Sequence, residues 1–129
     1  MSRVLLASVR YPVDYGFIPN TCGGDGDPLD VLVLVEEPTF PGCHIVVRPV
    51  GILLMRDEKG RDEKVLAVPT ADPRFDRIRN LKDVPQYRLD EIENFFAIYK
   101  DLEGVGSQVQ GWGTADRARQ LIRKYQSRQ

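Results

Sequence analysis

The chain has 129 residues, 42% of them hydrophobic and 29% charged, the size and balance of one globular domain that can bury a core. Its formal net charge is −1, which argues against a nucleic-acid or anionic-membrane binder, since either needs a basic excess. Two cysteines, Cys22 and Cys43, form neither a CxxC pair nor a zinc-ligand spacing and read as reduced thiols of a cytoplasmic protein, and no apolar run reaches the length of a membrane span.

In chain order, residues 4–9 form a short apolar run. Arg10, Pro12 and Asp14 follow it, so a first strand is expected there rather than a signal peptide. Residues 30–35 are almost continuously apolar and rich in valine, the pattern of a strand buried on both faces. A turn-rich loop is expected over 36–42. A long strand follows over 44–55, with Pro49 and Gly51 marking a bulge or bend. Residues 56–63 read as a polar turn around Gly60, and 64–68 as another short strand.

The second half turns helical. "PRFDRIRN" suits one or two helical turns. From 87 to 99 the apolar residues Leu89, Ile92, Phe96 and Tyr99 recur at spacings of three and four, with Phe95 beside them, which predicts an amphipathic helix. "GVGSQVQGW" returns to extended structure. Thr114 is placed to cap a last helix, with Asp116 in its first turn and Ala118, Leu121, Ile122 and Tyr125 as its buried stripe. Short strands followed by helices give a single α+β domain over 1–129, built on a small curved sheet or barrel of mostly antiparallel strands.

There is one histidine, His44, in a strand-like run. A Ser-His-Asp or Cys-His site would have to use it, and a strand-end position is the simpler reading. The carboxylates are more informative. Asp25, Asp27 and Asp30 crowd into "DGDPLD" at the entry to an apolar strand. Taken alone, "DGDP" is equally well an ordinary Asp-Gly turn. An EF-hand loop does not fit, because Leu29 stands where a ligand belongs and Asp30 where the glycine belongs.

A second group, Asp57, Glu58, Asp62 and Glu63, occupies another inter-strand turn. If the two turns meet at one end of the sheet, their mutual repulsion needs cations. Hard divalent ions with oxygen ligands, Mg²⁺ or Mn²⁺, are the natural occupants. Arg3, Tyr11 and Tyr15 precede the first acidic segment, Lys64 follows the second, and Tyr99 and Lys100 end the long helix. Each alone reads as a surface charge or packed ring. Together they suit a small polyanion held by metal on one side and by Lys, Arg and Tyr donors on the other.

Four stretches, "YPVDYGFIPNT", "DGDPLDVLV", "RPVGILLMRDEKGRDEKVLAVP" and "FFAIYKDLE", in that order, resemble the soluble, magnesium-dependent inorganic pyrophosphatases, from about Arg3 to Trp112. The resemblance implies a distorted OB-like β-barrel flanked by two main helices. It implies hydrolysis of pyrophosphate to two phosphates by a metal-activated water, with Asp27 as general base. It makes Asp25, Asp30, Asp57 and Asp62 metal ligands, and Arg3, Tyr15, Lys64, Tyr99 and Lys100 phosphate-binding groups. Tyr11 and Glu58 take secondary places beside the site. The implied cofactor is Mg²⁺, with Mn²⁺ as substitute. The implied partners are pyrophosphate and phosphate, with no nucleic acid and no membrane, in a homo-oligomer that is a hexamer if bacterial-like.

Relatives carry several dozen residues before the position of Arg3, including a phosphate-gripping lysine and metal-orienting glutamates. The chain, read as an N-terminally shortened member, is therefore expected to turn over less well and to leave a barrel edge open to pairing. Three other readings compete: a metal- or phosphate-binding remnant without turnover, an OB-type single-strand nucleic-acid module, which the acidic turns disfavour, and a purely structural domain with solvated acidic turns.

Overall fold

The computed structural model describes residues 13–22, 27–36, 42, 44–57, 60–102 and 108–126, with backbone alone at 99–102. The described strands form one mixed sheet. They are β1 (Asp14–Ile18), β2 (Leu29–Val33), β3 (Val47–Asp57), β4 (Gly60–Arg61), β5 (Lys64–Pro69) and β6 (Gln108–Thr114). The order runs β1-β2-β5-β3-β4, with β6 also paired to β3. All pairings are antiparallel except β2 with β5. Two α-helices lie among the described residues, α1 (Gln86–Leu102) and α2 (Ala115–Gln126). Among the described residues no helix is long and apolar enough to cross a membrane.

The central strands β2 and β5 are buried on both faces, and the sequence shows why. In β2 the residues alternate between two cores. Leu32 and Leu34 join Leu66, Val68, Leu53 and the α1 residues Leu89, Ile92 and Phe96. Leu29, Val31 and Val33 join Val65, Ala67, Ile52 and the α2 residues Ala118 and Tyr125. A helix on each face removes the solvated side, so β2 and β5 carry continuous apolar runs rather than alternation.

The expected bend in the long strand is present. Its pairing with β5 shifts register between Pro49 and Gly51, and its pairing with β6 shifts between Leu54 and Met55. Such bulges increase local twist and let one strand serve two neighbours. The strand starts later than expected, at Val47, and His44 lies exposed before it. The turn 56–63 is tighter than expected: β3 runs on to Asp57 and pairs with Gly60 and Arg61.

"PRFDRIRN" supplies a single 3-10 turn, Pro73–Phe75, and a second lies at Leu81–Asp83. Arg48 on β3 holds that stretch down by donating from Nη2 to the carbonyls of Phe75 (3.0 Å) and Ile78 (2.9 Å). Thr114 caps α2 as expected, its Oγ1 accepting from the Arg117 N–H at 3.3 Å. The expected first strand over 4–9 lies outside the described residues.

One strand was not foreseen. β1, "DYGFI", lies between Pro12 and Pro19 with only two strong apolar residues. It forms because β2 offers it a ladder, Asp14 to Ile18 against Val33 to Leu29. Partnership overrides a weak local pattern.

The tightest approach in the sheet is at Gly113. A Cβ there would meet Ile52 Cγ2 at 2.6 Å and Arg117 Cδ at 3.0 Å, and Ile52 is fully buried. Gly113→Ala is therefore expected to lower unfolding stability by about 1–3 kcal/mol, read from the urea midpoint. An unchanged midpoint would refute this account of the β6–α2 junction.

Candidate active site

Strand register builds the site. On β2, Asp30 shares a face with Leu32 and Leu34, the α1 face. In the parallel pair with β5, Asp30 stands opposite Lys64, which shares its face with Leu66 and Val68. On β1, Tyr15 stands opposite Leu32 and so points the same way. Asp62 is two residues before Lys64, in the connection from β4 to β5. Its N–H donates to the Met55 carbonyl at 2.9 Å, which anchors that connection to β3.

Residues remote in sequence therefore meet at one ammonium group. Lys64 Nζ donates to Asp30 Oδ2 at 3.0 Å, to Asp62 Oδ1 at 3.2 Å and to the Tyr15 hydroxyl at 3.1 Å. The Lys64 side chain is 3% exposed, while those of Asp30 and Asp62 keep 30% and 16%. The ammonium also lies 5.4 Å from the Tyr15 ring centroid and 5.5 Å from that of Phe96 on α1. Tyr15 meets the ammonium through its hydroxyl, and Phe96 walls it on the α1 side.

Ionisation follows from this packing. Burial acts to lower the pKa of Lys64. The facing oxygens of Tyr15, Asp62 and Asp30 outweigh it and hold the amine above its ordinary range. Lys64 is a fixed positive charge at neutral pH. Burial raises the pKa of Tyr15; Lys64 opposes this and Asp30 adds to it, leaving the phenol pushed up to about 12. Tyr15 is 45% exposed as a residue, but its hydroxyl is the end that reaches the shielded ammonium. At neutral pH it is a phenol, able to donate.

Of the residues singled out from sequence, the fold thus joins Asp30, Asp62, Lys64 and Tyr15. Asp27 is exposed, three residues before Asp30. Asp57 is half-buried at the end of β3, opposite Gly60. Tyr99 and Lys100 lie in the backbone of α1, which packs over this face. Arg3, Tyr11, Asp25 and Glu58 lie outside the described residues, as do the side chains of Tyr99 and Lys100.

Among the described residues, no three carboxylates, imidazoles or thiols are grouped as a ready-made metal cage. The donor chemistry nevertheless fits a hard cation. Two carboxylates share one ammonium, and each retains lone pairs and solvent access. Phe96 was legible only as part of a helical stripe; its second role, as a wall beside Lys64, needed the packing of α1 over the sheet.

Comparison with known proteins decides the family. The inorganic pyrophosphatase family model matches residues 1–129. The chain belongs to the inorganic pyrophosphatases. Over 122 residues it is 53% identical to an inorganic pyrophosphatase of Nostoc sp., spanning 95% of this chain and 72% of that protein. It is 54% identical over 123 residues to one of Leifsonia xyli, spanning 95% and 76%.

The solved structure of an inorganic pyrophosphatase from Coxiella burnetii superposes with a TM-score of 0.89 at 46% identity, over 94% of this chain and 74% of that one. The mixed sheet with its two helices is thus the OB-like fold of these enzymes. Membership makes this pyrophosphatase a hydrolase, an inorganic diphosphatase, and implies a divalent metal cofactor.

Two tests address the Lys64 group in the pyrophosphatase. Lys64→Met leaves Asp30 and Asp62 facing each other without their shared cation. Because both carboxylates keep some solvent, the loss is expected below that of a fully buried pair, at about 1–3 kcal/mol in chelator-treated protein. Urea unfolding reads it, and a change near zero would remove Lys64 from this role.

The second test is pH. A pKa raised on folding contributes stability that is full below the ordinary tyrosine pKa of 10.0 and declines as pH rises towards 12. Chelator-treated protein should lose stability across that window, with tyrosinate absorbance showing one late-titrating phenol. Tyr15→Phe should lack that late component; if it persists, it belongs to another tyrosine.

Proposed function

We propose that the chain hydrolyses pyrophosphate to two phosphates with Mg²⁺, for which Mn²⁺ can substitute, in the cytoplasm and as a homo-oligomer. The observation that carries this reading is the convergence of Asp30, Asp62 and Tyr15 on one buried lysine, in a chain of this family. Two paired carboxylates beside a fixed cation and a phenol suit metal on one side and phosphate oxygens on the other.

In this reading Asp25, Asp30, Asp57 and Asp62 hold the divalent ions. When bound, these ions supply Lewis acidity, making water easier to deprotonate and offsetting charge on phosphate oxygens. Asp27, exposed ahead of β2, accepts the proton of the attacking water. Lys64, whose three N–H donors go to Asp30, Asp62 and Tyr15, offsets charge on the leaving phosphate by its fixed positive charge, and the Tyr15 hydroxyl donates to a phosphate oxygen, joined by Arg3, Tyr99 and Lys100. Tyr11 and Glu58 take secondary roles in this reading. Lys64 is already charged and held by Asp30, Asp62, the Tyr15 hydroxyl and the Phe96 ring, so little reorganisation is needed as the reaction proceeds. Exposed Phe17 and Val46, at 62% and 76% of their surface, support association with further copies.

Phosphate release from magnesium pyrophosphate tests the assignment. The wild-type chain should release phosphate in a Mg²⁺-dependent manner, and Asp27→Asn should slow it by roughly 10²-fold or more. Equal rates for the two proteins would remove Asp27 as the base, and no release above background from the wild type would remove the function.

A further inference from the structure

We propose that Thr21 is a positioning residue for the metal-binding end of β2; this rests on the reading above of Asp30 as a metal ligand. Thr21 is 3% exposed, and only Glu63 and Lys64 share its class as buried polar or charged residues among those described. Its Oγ1 donates to the Ile18 carbonyl at 2.6 Å and accepts from the Leu29 N–H at 2.9 Å.

These partners are the last residue of β1 and the first of β2, which face each other in the ladder. One hydroxyl therefore closes the neck of the connection, using its proton towards one strand and a lone pair towards the other. The bond to Leu29 fixes the backbone immediately before Asp30 and two residues after Asp27.

The approach to Thr21 is constrained too. Asn20 takes a left-handed φ of 61°, a conformation Asn tolerates better than most residues. On the other side the Cys22 N–H donates to the Tyr125 carbonyl in the last turn of α2, at 3.2 Å. Thr21 thus sits between an anchor on the far helix and the strand that presents Asp30 to Lys64. Valine has nearly its shape but neither donates nor accepts, and would leave a buried N–H and a part-buried C=O without this partner. Hydrogen-bond partners of metal ligands typically influence metal affinity by roughly 10- to 100-fold, and Thr21 acts one residue away from Asp30, through the Leu29 N–H.

Mg²⁺-dependent thermal stabilisation of the full chain, without pyrophosphate, tests this separately from turnover. Thr21→Val should raise the Mg²⁺ concentration for half-maximal stabilisation by about 10-fold, while Thr21→Ser, which keeps the hydroxyl, should stay within about 2-fold of wild type. Val84→Ala, a core truncation under α1, should lower the unfolding temperature without moving that midpoint.

A wild-type midpoint in Thr21→Val, or an equal shift in Val84→Ala, overturns the inference while leaving the metal reading intact, provided Asp30→Asn weakens the response. No Mg²⁺ response in the wild type overturns both. Should Thr21→Val fail to fold, amide exchange on the unaltered chain decides. Slowing of the Leu29 amide by about 10-fold on Mg²⁺ addition supports the coupling, and an unchanged rate overturns it.

Discussion

A charged amine kept out of water must be surrounded by oxygens, and this constraint organises the molecule around Lys64. Its side chain is 3% exposed, and an ammonium there is tolerable only if its donors are satisfied and its charge is balanced. Asp30, Asp62 and the Tyr15 hydroxyl supply both, from β2, from the β4–β5 connection and from β1. Three separate parts of the chain are thereby held to one point. The same contacts leave an excess of negative charge, since two carboxylates share one cation. The site is assembled yet not neutral, the condition that favours a divalent ion.

The parallel pairing of β2 with β5 makes this meeting possible. It sets Asp30 beside Lys64 in register, on the face that α1 covers. Further along the same strands, that face is sealed core: Leu32, Leu34, Leu66 and Val68 against Leu89, Ile92 and Phe96. The polar group sits where the core ends. Phe96 belongs to both, packing at 6.3 Å from the Tyr15 ring and close beside the Lys64 ammonium. The apolar wall lowers the local dielectric and strengthens each contact inside it. Stability and chemistry therefore share residues.

The opposite face works at a distance. α2 packs beneath the sheet through Ala118 and Tyr125, and the Tyr125 carbonyl receives the Cys22 N–H. A helix with no side chain in the polar group thus anchors the stretch leading to Asp27 and Asp30. Support of this kind fixes a first contact through backbone rather than through charge.

Much of this was legible from residues alone. The continuous apolar run of β2, the bulge at Pro49 and Gly51, the helical stripe of α1 and the Thr114 cap are local patterns, and local sterics, hydrogen bonding and period write them directly into sequence. The carboxylate-rich turns were equally visible, and with the motif order they indicated the enzyme family. β1 was not visible, because its stability comes from its partner. Neither was the shared hold of Asp30, Asp62 and Tyr15 on Lys64, nor Phe96 as its wall, nor Thr21 as the neck of a connection. Those depend on strand register and on which face each helix covers, and such long-range choices are made by burial and pairing across the whole chain, not by any window of it.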